Sequence, residues 1–169
     1  IWFSNIVYWK FIRFWLPALF WIIVIFLMSS AAFSSERTSS FVLPAIKFLF
    51  PSLSPEMSDF MHWLVRKIAH TSVYFVLGFL LYRAFCEGFL VKWSIKCAVY
   101  SMVLLIFISC IDEFHQAMNP SRTFLFSDIL IDTAGGFLSL VFIAHCAKKL
   151  DMSRKDIIYE ANTIRKSRL

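Results

Sequence analysis

Charge is scarce in this sequence. Asp, Glu, Lys and Arg make up 17% of its 169 residues, while 59% are apolar and 20 are Phe. Soluble domains carry roughly 25% charged residues, so this chain is short of the polar surface a solvated domain needs, and its clustered apolar runs point to an integral membrane protein. Its length suits one domain. A glycine-rich phosphate loop is missing: Gly135-Gly136 sits inside an apolar run, which argues against nucleotide binding. The four cysteines (Cys86, Cys97, Cys110 and Cys146) include no CxxC pair, so they read as packing residues and not as a disulfide framework or zinc site. Net charge is +6, yet no nucleic-acid motif accompanies it, and no nucleic-acid partner is expected. The bases lie at the edges of apolar runs and in the tail, a pattern that suits membrane topology.

Apolar runs divide the chain into four expected spans, at about 14–33, 64–85, 93–112 and 124–147, within a single domain covering 1–169. Phe14–Phe33 holds twenty residues without a charge, enough to cross a hydrocarbon core of about 30 Å. Trp2, Trp9, Trp15 and Trp21 suit an interfacial belt at its start, and Pro17 is expected in its first turn. Ser30-Ala31-Ala32 loosely resembles a signal cleavage site, but the run is long for a signal peptide, so retention is expected. Ser34–Ser40 is a polar break. Phe41–Phe50 is too short to span and reads as interfacial, and Pro55–Arg66 reads as a second short helix with Ser54 as its N-cap. A hinge is expected at Asn119–Arg122. Beyond it, 148–169 is a basic tail, expected to be cytoplasmic and to form a surface helix.

Four spans alternate direction. With both termini inside, twelve of the seventeen bases fall on the inner side: Lys10, Arg13, Arg83, Lys92, Lys96 and seven in the tail. The positive-inside rule favours that arrangement. It also carries the polar faces of three spans to the same, outer leaflet. Lys67, His70, Tyr74 and Gly78 share a helical face on the second span. Ser101, Leu105, Ile108, Asp112 and His115 share one on the third, with Glu113 and Gln116 beside them. Leu125, Asp128, Asp132, the glycine pair and Ser139 form a stripe on the fourth, where small residues allow close helix approach. Arg122 stands on the intervening hinge. Ionisable groups at membrane depth are expensive and by default mark a functional site.

The ordered set Lys67-x-x-His70-x-x-x-Tyr74, Asp112-Glu113-x-His115-Gln116, Pro120-x-Arg122, Asp128 and Gly135/Gly136 resembles the VanZ-like family of small bacterial membrane proteins. SSERTSS after the first span fits as well, and the resemblance covers about Ile22–Phe142. Two positions depart from it: Asp132 stands where an asparagine is expected, and Ser121 where a glycine is common. The resemblance implies an all-α, multi-span protein of the bacterial cytoplasmic membrane. Its namesake is associated with low-level resistance to teicoplanin, a glycopeptide that acts on cell-wall precursors outside that membrane.

Three readings of the polar residues follow from their chemistry. A ligand site would use Lys67, His70, Tyr74, Asp112, Glu113, His115, Gln116, Arg122, Asp128 and Asp132 to hold a membrane lipid headgroup or a lipid-linked cell-wall precursor, with Arg122 as a bidentate anion clamp. An acid–base enzyme would use His70 or His115 beside Asp112, Glu113 or Asp128. A structural network would pair cations such as Lys67 with carboxylates such as Asp128 merely to hold the helices together. Two histidines and one carboxylate could ligate a metal, but the spacing matches no strong zinc signature, and neither metal nor cofactor is expected. His62 and His145 stand apart from the stripe.

Overall fold

A computed structural model describes residues 2–30, 35–87, 93–118 and 124–167, and among them every regular element is an α-helix. They are α1 (Trp2–Met28), α2 (Ser35–Leu49), α3 (Pro55–Phe85), α4 (Ile95–Ala117) and α5 (Phe126–Ser167). Four of them, α1, α3, α4 and α5, are long and apolar enough to cross a membrane, and α2 is a shorter apolar helix. The chain is an all-helical, multi-pass membrane protein.

The helices run longer than the apolar runs suggest. α3 is one continuous helix from Pro55, capped by Ser54 Oγ, which accepts the Met57 N–H at 3.3 Å. No separate helix over 55–66 exists, so a single interfacial helix follows α1. At 31 residues α3 is about 46 Å long, more than a bilayer core, so its first turns extend beyond that core. α5 likewise continues unbroken through the basic segment to Ser167. The hinge at 119–122 and Lys92 lie outside the described residues.

α3 is the central helix, and each of the other four packs against it. Its buried Tyr74, Leu77 and Leu81 meet Ala18 and Ile25 of α1 and Leu105 and Ile108 of α4. Against α5 the packing is between backbones. A Cβ added to Gly135 would lie 2.4 Å from the Thr71 carbonyl oxygen, and one on Gly78 would lie 3.0 Å from Gly136 Cα. These glycines let α3 and α5 approach closely enough for short polar side chains to meet across the seam.

Three expectations change at the opposite end of the bundle. Pro17 lies mid-helix in α1, not in its first turn. Proline has no N–H to give the carbonyl four residues back, and the acceptor it frees, the Arg13 carbonyl, receives Arg83 Nη2 at 3.0 Å. A side chain from α3 thus completes the backbone of α1, the kind of repair that lets proline persist in membrane helices. Trp21 does not belong to an interfacial belt: its Nε1 donates to the Val73 carbonyl at 2.9 Å and ties α1 to α3. Cys86 and Cys97 form a disulfide between the end of α3 and the first turn of α4, with Cα atoms 5.8 Å apart. The short α3–α4 connection brings these two together, which a spacing of eleven without a CxxC pair does not reveal. Cys110 and Cys146 remain free.

If Arg83 completes the proline break, the two residues are energetically coupled. Arg83→Met is expected to cost about 1 kcal/mol of stability in the native background and close to nothing beyond its packing loss in a Pro17→Ala background. Thermal unfolding of the four proteins in detergent closes this cycle, and additive costs would disprove the coupling.

Candidate functional site

The N-terminal half of α3, the C-terminal half of α4 and the first turns of α5 gather the ionisable residues into three groups. In the first, Lys67 of α3 pairs with Asp128 in the first turn of α5, with side chains 17% and 14% exposed. Asp128 also accepts Ser127 Oγ at 3.2 Å. A carboxylate at this place gains from the positive end of the helix dipole as well as from the ammonium.

The second group lies one turn deeper. His70 Nδ1 is 3.3 Å from Asp132 Oδ1, and Ser109 Oγ of α4 donates to Asp132 Oδ2 at 2.9 Å. Asp132 is 1% exposed. Both of its oxygens are therefore engaged, and one imidazole nitrogen is turned inward. That leaves Nε2 as the ring nitrogen available on the opposite edge.

The third group centres on Asp112 of α4, also 1% exposed. Its Oδ2 accepts Tyr74 OH at 3.2 Å and Gln116 Nε2 at 3.0 Å. Gln116 Nε2 also reaches Ser29 Oγ, just past α1, at 3.2 Å. Asp112 Oδ1 has no partner among the described residues. Beside this group is a cavity of about 110 Å³. Its lining is mixed: Ile25, Met28, Ala69 and Val73 are apolar, and Ser29, Thr38, Arg66, His70, Tyr74, Asp112 and Gln116 are polar. Arg66 donates to Thr38 Oγ1 at 3.1 Å, so α2 positions the guanidinium.

The anticipated residues separate by role. Lys67, His70, Tyr74, Asp112, Gln116, Asp128 and Asp132 converge as three adjoining clusters. Glu113 is 3% exposed and accepts the Leu125 N–H at 2.7 Å, one residue before α5. It satisfies a backbone donor at that helix start and has a structural task there. His115 turns away: it is exposed and meets the Phe26 ring edge-on at 5.9 Å. The buried face of α4 runs through Ser101, Leu105, Ile108, Ser109, Asp112, Glu113 and Gln116, and a step of three from Asp112 to His115 leaves it where a step of four to Gln116 does not. Arg122 lies outside the described residues. Ser109, Ser29 and Thr38 were not anticipated. Ser109 had a signal, being one helical turn from Asp112, whereas Thr38 joins the site only because α2 folds back on α3.

Among the described residues, no three His, Cys, Asp or Glu side chains come together as a metal site. The ordered pairs spread over α3, α4 and α5 form one connected arrangement, and the profile of the VanZ/LLP1 family matches residues 14–147, which hold all of it. The chain belongs to the VanZ/LLP1 family. No curated protein and no solved structure gives a match to it. The matched segment of this VanZ/LLP1 protein includes all of α2, α3 and α4, and stops within α5.

Lys67→Asp is expected to remove about 3 kcal/mol of stability by leaving two carboxylates facing each other. Adding Asp128→Lys should restore only part of that loss, because the ammonium then sits at the positive end of α5. Unfolding in detergent measures both. Full restoration would mean that the helix end contributes nothing.

Proposed function

We propose that this protein binds the polar headgroup of a membrane lipid or lipid-linked cell-wall precursor in the cavity beside Asp112. The observation that carries the reading is the cavity's mixed lining. Ile25, Met28, Ala69 and Val73 suit acyl or prenyl chains, and Arg66, His70, Tyr74, Asp112 and Gln116 suit a headgroup. Charged and polar side chains are placed at such depth where they meet a ligand or one another.

The proposed orientation puts both termini in the cytoplasm of a bacterial cytoplasmic membrane, with the cavity toward the outer leaflet. The positive-inside rule supports it, since twelve of the seventeen bases then lie inside. That orientation puts the Cys86–Cys97 bond at the cytoplasmic end, the side on which disulfides are rare. Arg122 is proposed as an additional anion contact. Through family membership, occupancy of this site is proposed to lower susceptibility to glycopeptides such as teicoplanin.

Ala69 is exposed and lines the cavity, so Ala69→Phe fills space without disturbing the core. Native mass spectrometry of the protein released from lipid nanodiscs is expected to show bound lipid on wild type and about a tenfold loss on Ala69→Phe. Equal retention by two equally monodisperse proteins would rule out the cavity as the site.

A second reading is favoured by one observation, the bond between His70 Nδ1 and Asp132. A carboxylate on Nδ1 fixes the tautomer and leaves Nε2 as a base, the arrangement used in acid–base catalysis. In that case His70→Gln retains bound lipid but ends its chemical turnover, followed as the appearance of a product mass in incubated nanodiscs. Loss of bound lipid from His70→Gln would make His70 a binding group instead.

A further inference from the structure

We infer that Cys86 and Cys97 form a reversible oxidation site: small disulfides of the cytoplasm close the bond between them, small thiols open it, and the closed bond braces α3 on α4. The inference takes the orientation proposed above and is independent of what the cavity binds.

The chain brings the two sulfurs together by ending one helix and starting the next. Cys86 caps α3, and its N–H reaches the Tyr82 carbonyl at 3.0 Å. Glu87 then takes φ 50°, the left-handed conformation that commonly ends a helix. Its carboxylate is held by Lys10 of α1. α4 starts after Ser94, whose Oγ accepts the Cys97 N–H at 3.4 Å. Cys97 therefore lies in the first turn of α4, with its Cα 5.8 Å from that of Cys86. A disulfide spans such a separation without moving the backbone.

This end of the bundle is also held without sulfur. The Ser94 N–H donates to Tyr82 OH at 3.0 Å, and the Trp93 ring stacks on Tyr82 with centroids 5.4 Å apart. Both cysteines pack against a buried cluster of Tyr82, Ala98, Leu140 and Ile143. A cysteine thiol behaves there as a small apolar side chain. The fold thus accommodates two thiols as well as one bond, and opening the bond requires no refolding. Permanent disulfides belong to oxidising compartments and to small domains short of core. This pair has a packed core behind it and faces the cytoplasm in the proposed orientation. Both cysteines are half-buried at helix ends, and Glu87, Trp93 and Lys96 near them are exposed, so small thiols and disulfides reach them from the aqueous side.

The chemistry is thiol–disulfide exchange with a co-reactant of the glutathione type. To close the bond, one cysteine thiolate attacks a sulfur of the small disulfide, forms a mixed disulfide and releases one small thiolate. The other cysteine thiolate attacks the protein sulfur of that mixed disulfide, forms the Cys86–Cys97 bond and releases the second small thiolate. The released thiolates take up the two protons that the cysteines lose. Two protein thiols are oxidised, and one small disulfide is reduced to two thiols. Opening is the reverse and consumes two small thiols.

The state of the pair is read in cells making the full chain with Cys110→Ser and Cys146→Ser, so that only Cys86 and Cys97 gain mass from a polymer-bearing maleimide. Cells are quenched in acid, and thiols are labelled after denaturation. Growing cells are expected to hold the two thiols about tenfold over the disulfide. Diamide, which converts glutathione to its disulfide, is expected to reverse that ratio, and its removal to restore it. A pair that is already a disulfide in untreated cells overturns the inference, as does one that stays as thiols while glutathione is oxidised. Neither comparison changes Cys86 or Cys97.

A membrane-impermeant maleimide applied first to intact cells tests the orientation. Protection of the thiols supports a cytoplasmic end. Their labelling overturns the orientation and this inference together and leaves the test of the cavity by Ala69→Phe standing. Bracing is measured on purified protein. The oxidised form is expected to melt about 5 °C above the reduced form, a gap that Cys97→Ser removes. Equal melting of the two forms overturns the bracing.

Discussion

An ammonium or imidazole at membrane depth needs a carboxylate, and in this protein the carboxylates come from another helix. Lys67 and His70 of α3 reach Asp128 and Asp132 of α5, one turn apart on each side. The rest of the bundle follows from that seam. Short carboxylate side chains meet their partners only if the backbones are close, which is why Gly78, Gly135 and Gly136 occupy the contact. The seam makes α3 the helix on which α1, α2 and α4 are then arranged. It also separates the ionisable residues into those paired across α3 and α5 and those that are not.

That separation gives Asp112 its character. It lies on the neighbouring helix, beyond reach of the two cations, and is served only by a phenol and an amide. The same carboxyl chemistry thus has different consequences at Asp132 and at Asp112. One is hydrogen-bonded on both oxygens and steadies an imidazole, and the other holds unsatisfied bonding capacity beside a cavity. That cavity also touches apolar side chains of α1 and α3.

Much of this was legible in the sequence. The four spans follow from run length, and the convergence of Lys67, His70, Tyr74, Asp112, Gln116, Asp128 and Asp132 follows from helical spacing together with alternating direction. The misjudged features share a cause, because periodicity describes one helix at a time. His115 shares a spacing with Asp112, but the α4 face is decided by what packs against it. Glu113 looks catalytic until Leu125 is found to need an acceptor. Pro17 is acceptable within α1 only because Arg83, seventy residues away in sequence, reaches the carbonyl it frees. The bond between Cys86 and Cys97 depends on how a short connection closes. Arg66 and Thr38 belong to the cavity because α2 folds back on α3, a tertiary event with no local signature.

The seam also bears on how the protein is made. Lys67 and Asp128 are 61 residues apart in the chain, and His70 and Asp132 are 62 apart. At about 5–20 residues per second, a ribosome needs on the order of 3–12 s to produce that interval. Throughout it, Lys67 and His70 are without their α5 partners. The first turns of α3 extend beyond the bilayer core, so the Lys67 side chain snorkels toward the headgroup layer until α5 emerges. The seam is therefore closed late, by a span made after α3 is already in place.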